Sequence, residues 1–141
     1  MKLNLWLVAG GVLSAIAALL HLAIIAGGPS WYRFFGAGER MAHLAETGKS
    51  EAWLVTAAIA AVLAVWAAYA FSGAGLLPRL PLLKLGLVMI STIYLVRGLA
   101  LVPGLMFRPG LVTPFLFWSS LVVIVYGLTY TVGTWQAWSR L

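Results

Sequence analysis

Charged residues are so sparse along this chain that their gaps define its architecture. No Asp, Glu, Lys or Arg falls between Leu3 and Tyr32, between Ala52 and Pro78, or between Pro109 and Ser139. Each run exceeds the roughly 20 apolar residues that an α-helix needs to cross a hydrocarbon core. A fourth apolar run, residues 80–102, is interrupted by Lys84 and Arg97 alone. The pattern predicts spans over about 3–26, 52–71, 80–102 and 111–138, in a single transmembrane domain covering residues 1–141. The expected fold is therefore all-α, an integral membrane bundle of four antiparallel transmembrane helices. Local residues set the expected ends: Gly27, Gly28 and Pro29 stop the first helix, Ser50 caps the second with Glu51 in its first turn, and Pro114 sits in the first turn of the fourth.

Between the first two spans the pattern changes. The stretch "YRFFGAGERMAHLAETGKSE", Tyr32 to Glu51, holds all three acidic residues of the chain, Glu39, Glu46 and Glu51, and one of its two histidines. A short helix over about residues 39–47, ended by Gly48, places Glu39, His43 and Glu46 on one face at i, i+4 and i+7. The preceding "FFGAG" supplies an apolar anchor and flexible glycines, as expected of a segment lying in the membrane interface and capping one end of the bundle.

Composition agrees with the spans. The 141 residues are 63% hydrophobic and 9% charged, with a mean hydropathy of +1.03, far from the roughly quarter of charged residues in soluble domains. Lys2 followed by an apolar stretch and "AIA" imitates a signal peptide, but the apolar run continues to Ile25, which favours an uncleaved helix. There is no cysteine, which excludes disulfides and thiolate metal sites. The net charge of +6 is spread along the connections, which suits anionic lipid headgroups and not nucleic acid. Lys2, Arg79, Lys84 and Arg140 flank one side, and Arg33, Arg40, Lys49 and Arg108 the other. The acid-free ends favour both termini in the cytoplasm of a bacterial inner membrane. Trp6, Trp31, Trp53, Trp135 and Trp138 fall near predicted helix ends, where indoles favour the headgroup zone.

Polar groups inside the spans are the candidate site residues. Gly10, Ser14, Ala17 and His21 form one narrow small-residue face of the first helix, expected to point into the bundle. Arg97 has two dispositions open to it: snorkelling outward, or an inward guanidinium paired with a carboxylate, for which Glu39 is the preferred partner. Ser119, Tyr126, Tyr130 and Gly133 share a face of the fourth helix, and Ser91 and Tyr94 lie on the third. "HLAIIAGGPSWYRFFGAG" and "RGLALVPGLMFRPG" both leave a helix through Gly and Pro into Phe, Arg and Gly, and a two-plus-two repeat would place His21 and Arg97 at similar depth.

The segment "AGLLPRLPLLKLGLVMISTIYL", Ala74 to Leu95, together with the length and four-span layout, resembles the DoxX-like group of small bacterial membrane proteins. That resemblance implies a four-helix membrane fold and association with quinone or sulfur redox complexes; no family site residue is carried over.

Three classes of function follow. The leading one is a non-enzymatic protein that binds or passes a lipid-like or amphipathic molecule through an intrabundle cavity capped by the first loop. His21, Glu39, Tyr94, Arg97, Trp118 and Tyr126 would bind the ligand, Arg97 fixing its anionic or carbonyl group. The rival is a membrane-embedded enzyme using Glu39 or His43 as acid or base, with His21, Glu39, His43 and Glu46 as donors to a divalent metal, or His21 and His43 holding haem. The chain lacks the Glu-x-x-His pairs and His-Glu-x-x-His motifs of established metal sites, so no cofactor is predicted. The third is an accessory subunit, acting as a homodimer or within a larger membrane complex.

Overall fold

The computed structural model describes residues 3–141, and Lys2, counted in the charge balance above, lies outside them. Among the described residues every regular element is helical: α1 (Leu5–Gly27), α2 (Pro29–Phe34), α3 (Glu39–Glu46), α4 (Ser50–Ala74), α5 (Leu83–Leu99), α6 (Leu101–Phe107), a 3₁₀ turn (Pro109–Leu111) and α7 (Pro114–Ala137). Four stretches are long and apolar enough to cross a membrane: α1, α4, Leu83–Phe107 and α7.

The ends follow local chemistry. Asn4 precedes α1, its Oδ1 accepting from the Leu7 amide at 3.1 Å, which satisfies one of the orphan donors of the first turn. Thr113 does the same for α7 through the Leu116 amide, with Pro114 at the first helical position. That cap places the start of α7 three residues after Leu111, which belongs instead to the 3₁₀ turn. The third span starts at Leu83, later than expected, and extends to Phe107, past the expected end at Val102. It is broken at Ala100 because Pro103 has no N–H to give the Leu99 carbonyl.

The chain divides into two compact units, one of residues 1–14 with 66–141 and the other of residues 15–65. In the larger unit α5 packs along α7. The two backbones approach closely at Gly98 and Gly127: a Cβ on Gly98 would lie 3.0 Å from the Ile124 amide nitrogen, and one on Gly127 would lie 3.1 Å from that of Leu95. Small residues permit this approach where lipid leaves no hydrophobic drive between helices. In the smaller unit Ile24, Tyr32, Ala42 and Ala52 form a core to which Phe35, Met41 and Leu44 add. This core seats α2 and α3 against the adjoining parts of α1 and α4.

Candidate functional site

In the larger unit a column of polar groups is buried among apolar helices. Ser14 is fully buried and its Oγ is 2.9 Å from the Tyr94 hydroxyl and 2.7 Å from that of Tyr130. The Tyr130 hydroxyl also reaches the Trp66 carbonyl at 3.0 Å. The direction of this chain is fixed at its carbonyl end. A carbonyl only accepts, so Tyr130 spends its proton on Trp66, Ser14 donates to Tyr130, and Tyr94 donates to Ser14. Rings pack around the hydroxyls, with Trp66 edge-on to Tyr94 at 4.9 Å and Tyr126 edge-on to Tyr94 at 5.4 Å.

One helical turn from Tyr94, the exposed Arg97 donates from a terminal guanidinium nitrogen to Ser120 Oγ at 3.0 Å. Among the described residues this is its only side-chain hydrogen bond, and Ser120 is neutral and fully buried. A guanidinium carries five N–H donors, so most of the donor capacity of Arg97 is not used by α7. The larger unit contains no acidic residue, because Glu39, Glu46 and Glu51 all lie within 15–65.

The acids of the smaller unit are matched to cations nearby. Arg33 Nε meets Glu39 Oε1 at 2.9 Å, and a terminal nitrogen of the same guanidinium meets Glu46 Oε1 at 2.8 Å. Arg40 meets Glu51 at 3.0 Å. These contacts are exposed, but together they tie α2 to α3 and α3 to α4. The Arg33 contact holds the Glu46 carboxyl below its ordinary range, and the two carboxylates raise Arg33 in turn, Glu46 before Glu39. The core beneath is tied by Thr56 Oγ1, 3.1 Å from the buried Tyr32 hydroxyl.

The sequence-predicted site residues thus fall into separate settings. Tyr94 and Tyr126 are neighbours in the buried aromatic group, whereas Trp118 is 65% exposed and packs edge-on against Phe117, outside that group. The expected pairing of Arg97 with Glu39 would join residues of different units; within its own unit Glu39 is held by Arg33, six residues away, and Arg97 lies against Ser120. His21 gives its Nδ1 proton to the Ala17 carbonyl at 2.7 Å, within its own helix. Glu39, His43 and Glu46 do lie on α3, but no three His, Cys, Asp or Glu side chains converge on a metal-binding geometry among the described residues. The metal set His21, Glu39, His43 and Glu46 is therefore not assembled, and Arg33 occupies both of its carboxylates.

Sequence reasoning missed Ser120 and named its neighbour Ser119, whose hydroxyl turns back to the Leu116 carbonyl. The spacing of seven that relates Ser120, Gly127 and Thr134 marks the buried face of α7. Asn4 was missed too; it caps α1 and also donates from Nδ2 to the Gly133 carbonyl at 2.8 Å. Comparison with protein-family models, curated proteins and solved structures gives no match.

Proposed function

We propose that the chain is a multi-pass, non-enzymatic protein of the bacterial inner membrane, with cytoplasmic termini, that binds or passes a lipid-like or amphipathic molecule. Arg97 is the residue that holds the anionic or carbonyl end of that molecule. An antiparallel order of the spans is supported by pairings within the larger unit. Leu7 lies beside Gly133 and Gly10 beside Tyr130, and Gly98 lies beside Ile124 while Leu95 meets Gly127.

The observation that carries this reading is that Arg97 has a single, neutral hydrogen-bond partner among the described residues. Arg97 sits ten residues before the end of the third apolar stretch at Phe107, bonded to a serine in a unit without an Asp or Glu side chain. A cation inside a span is costly, by about 2.5–3.5 kcal/mol on insertion scales, and an incoming anionic or carbonyl oxygen offsets that cost. Tyr94, one turn before it, and the neighbouring Tyr126 would supply apolar walls. The test is native mass spectrometry of the chain purified in mild detergent, compared with Arg97→Gln. A bound amphiphile that is lost from the variant is expected. The same species on both proteins, or none on either, removes the reading.

A further inference from the structure

The other end of the α5–α7 pair carries a second feature. Two hollows meet there. One, of about 320 Å³, runs between the helices past Val88, Ser91, Leu95, Thr131, Thr134 and Trp138. The other, of about 480 Å³, is lined by Arg79, Lys84, Val88 and Trp138 among others. Val88 and Trp138 are common to both, so the two form one groove that is apolar along the helices and cationic at its mouth. From Lys84 to Leu95 the helix rises about 16 Å at 1.5 Å per residue, close to half of a hydrocarbon core about 30 Å thick. The groove is therefore as long as one leaflet is deep.

Its mouth is built for an anion. Lys84 Nζ stands 4.2 Å over the Trp138 ring, so the indole holds the ammonium in place without neutralising it. Arg79 gives an N–H to the main-chain oxygen of Leu141, and no Asp or Glu side chain exists in this unit to pair with either cation. Within the groove, Thr134 is 5% exposed. Among the described residues its Oγ1 is the buried side-chain polar atom without a hydrogen-bond partner. The neighbouring hydroxyls of Ser91, Thr92 and Thr131 all bond to carbonyls of their own helices. Thr134 lies four residues before Trp138, about 6 Å deeper along α7, the level of a lipid's ester carbonyls when its headgroup is at the indole.

We infer that this groove is a binding site for an anionic phospholipid, with the phosphate at Lys84 and Arg79, an ester carbonyl accepting from Thr134, and an acyl chain along α5 and α7. The site rests on the membrane-spanning reading above but not on Arg97. It is tested by titrating the detergent-purified full chain with dioleoylphosphatidylglycerol or dioleoylphosphatidylcholine and reading bound lipid by native mass spectrometry. The phosphatidylglycerol is expected to bind more tightly. Lys84→Gln should weaken it about fivefold, the fold-change for about 1 kcal/mol per basic residue at a membrane surface, and Lys84→Arg should restore it. Arg108→Gln, which removes the same charge from an exposed position outside the groove, should leave it unchanged. Val88→Trp should fill the groove and reduce both lipids. Equal binding of the two lipids, or equal effects of Lys84→Gln and Arg108→Gln, overturns the site. So does efficient disulfide dimerisation of Val88→Cys in this cysteine-free chain, which would make the occupant a second copy. Release of the chain from membranes by alkaline carbonate would instead remove the membrane reading itself.

Discussion

Replacing Ser14 by alanine cuts the buried hydroxyl chain at its centre, and the structure predicts how the cost divides. Ser14→Ala removes two hydrogen bonds, to Tyr94 and Tyr130. Tyr130→Phe also removes two, to Ser14 and to the Trp66 carbonyl. At an average of about 0.6 kcal/mol and a maximum near 1.7 per interhelical bond in a bilayer, each single variant should lose about 1–2 kcal/mol of stability. The double variant loses three distinct bonds, not four, because the Ser14–Tyr130 bond is shared. The two substitutions should therefore fall short of additivity by about 0.6–1.7 kcal/mol, the worth of that bond. Tyr94→Phe should cost least, since Tyr94 is the terminal donor and its loss leaves the Ser14 proton on Tyr130. Reversible unfolding in mixed micelles of mild detergent and dodecyl sulfate, followed by circular dichroism, measures the four variants against the unaltered chain. Additivity within about 0.3 kcal/mol, or a Tyr94→Phe cost exceeding that of Tyr130→Phe, would refute the directed chain.

Further outcomes follow from the same geometry. Gly98→Ala should destabilise the chain by about 1–3 kcal/mol in the same unfolding assay, the usual cost of overpacking, because the new methyl would meet the Ile124 amide at 3.0 Å and the Ser120 carbonyl at 3.1 Å. The Arg33 contact stabilises ionised Glu46 in the folded state, so its contribution is present above the ordinary carboxylate value of 4.5 and is lost as pH falls through the lowered one. Hydrogen-exchange protection factors of α3 amides should accordingly drop on acidification below that value, and Glu46→Gln should show lower protection at neutral pH with less pH dependence. Arg33→Gln should expose α3 to trypsin at Arg40, since it releases Glu39 and Glu46 together; unchanged cleavage would assign the seating of α3 to its apolar core alone.

The number of apolar helices and most of their ends can be read from the charge-free runs of the chain. Crossing helices must be long and uncharged, and Pro, Gly and capping side chains act on the residues beside them, so Gly27 to Pro29, the α3 helix and Pro114 were readable in place. Where a break depended on one missing amide, at Pro103, the signal was present in the sequence but outweighed by the continuing apolar run. Partner choice was not readable. Whether Ser119 or Ser120 is buried depends on a rotation of α7 by about 100°, which the packing of Gly98 and Gly127 decides. Glu39 found Arg33 within its own loop, where closing a short segment costs little entropy, and Arg97 was left to a serine that only the close approach of α5 and α7 brings within reach. The first loop's acids were legible as a cluster; that they serve the loop's own cations, and that Arg97 is left with a serine in a unit without Asp or Glu, follows from the folded packing.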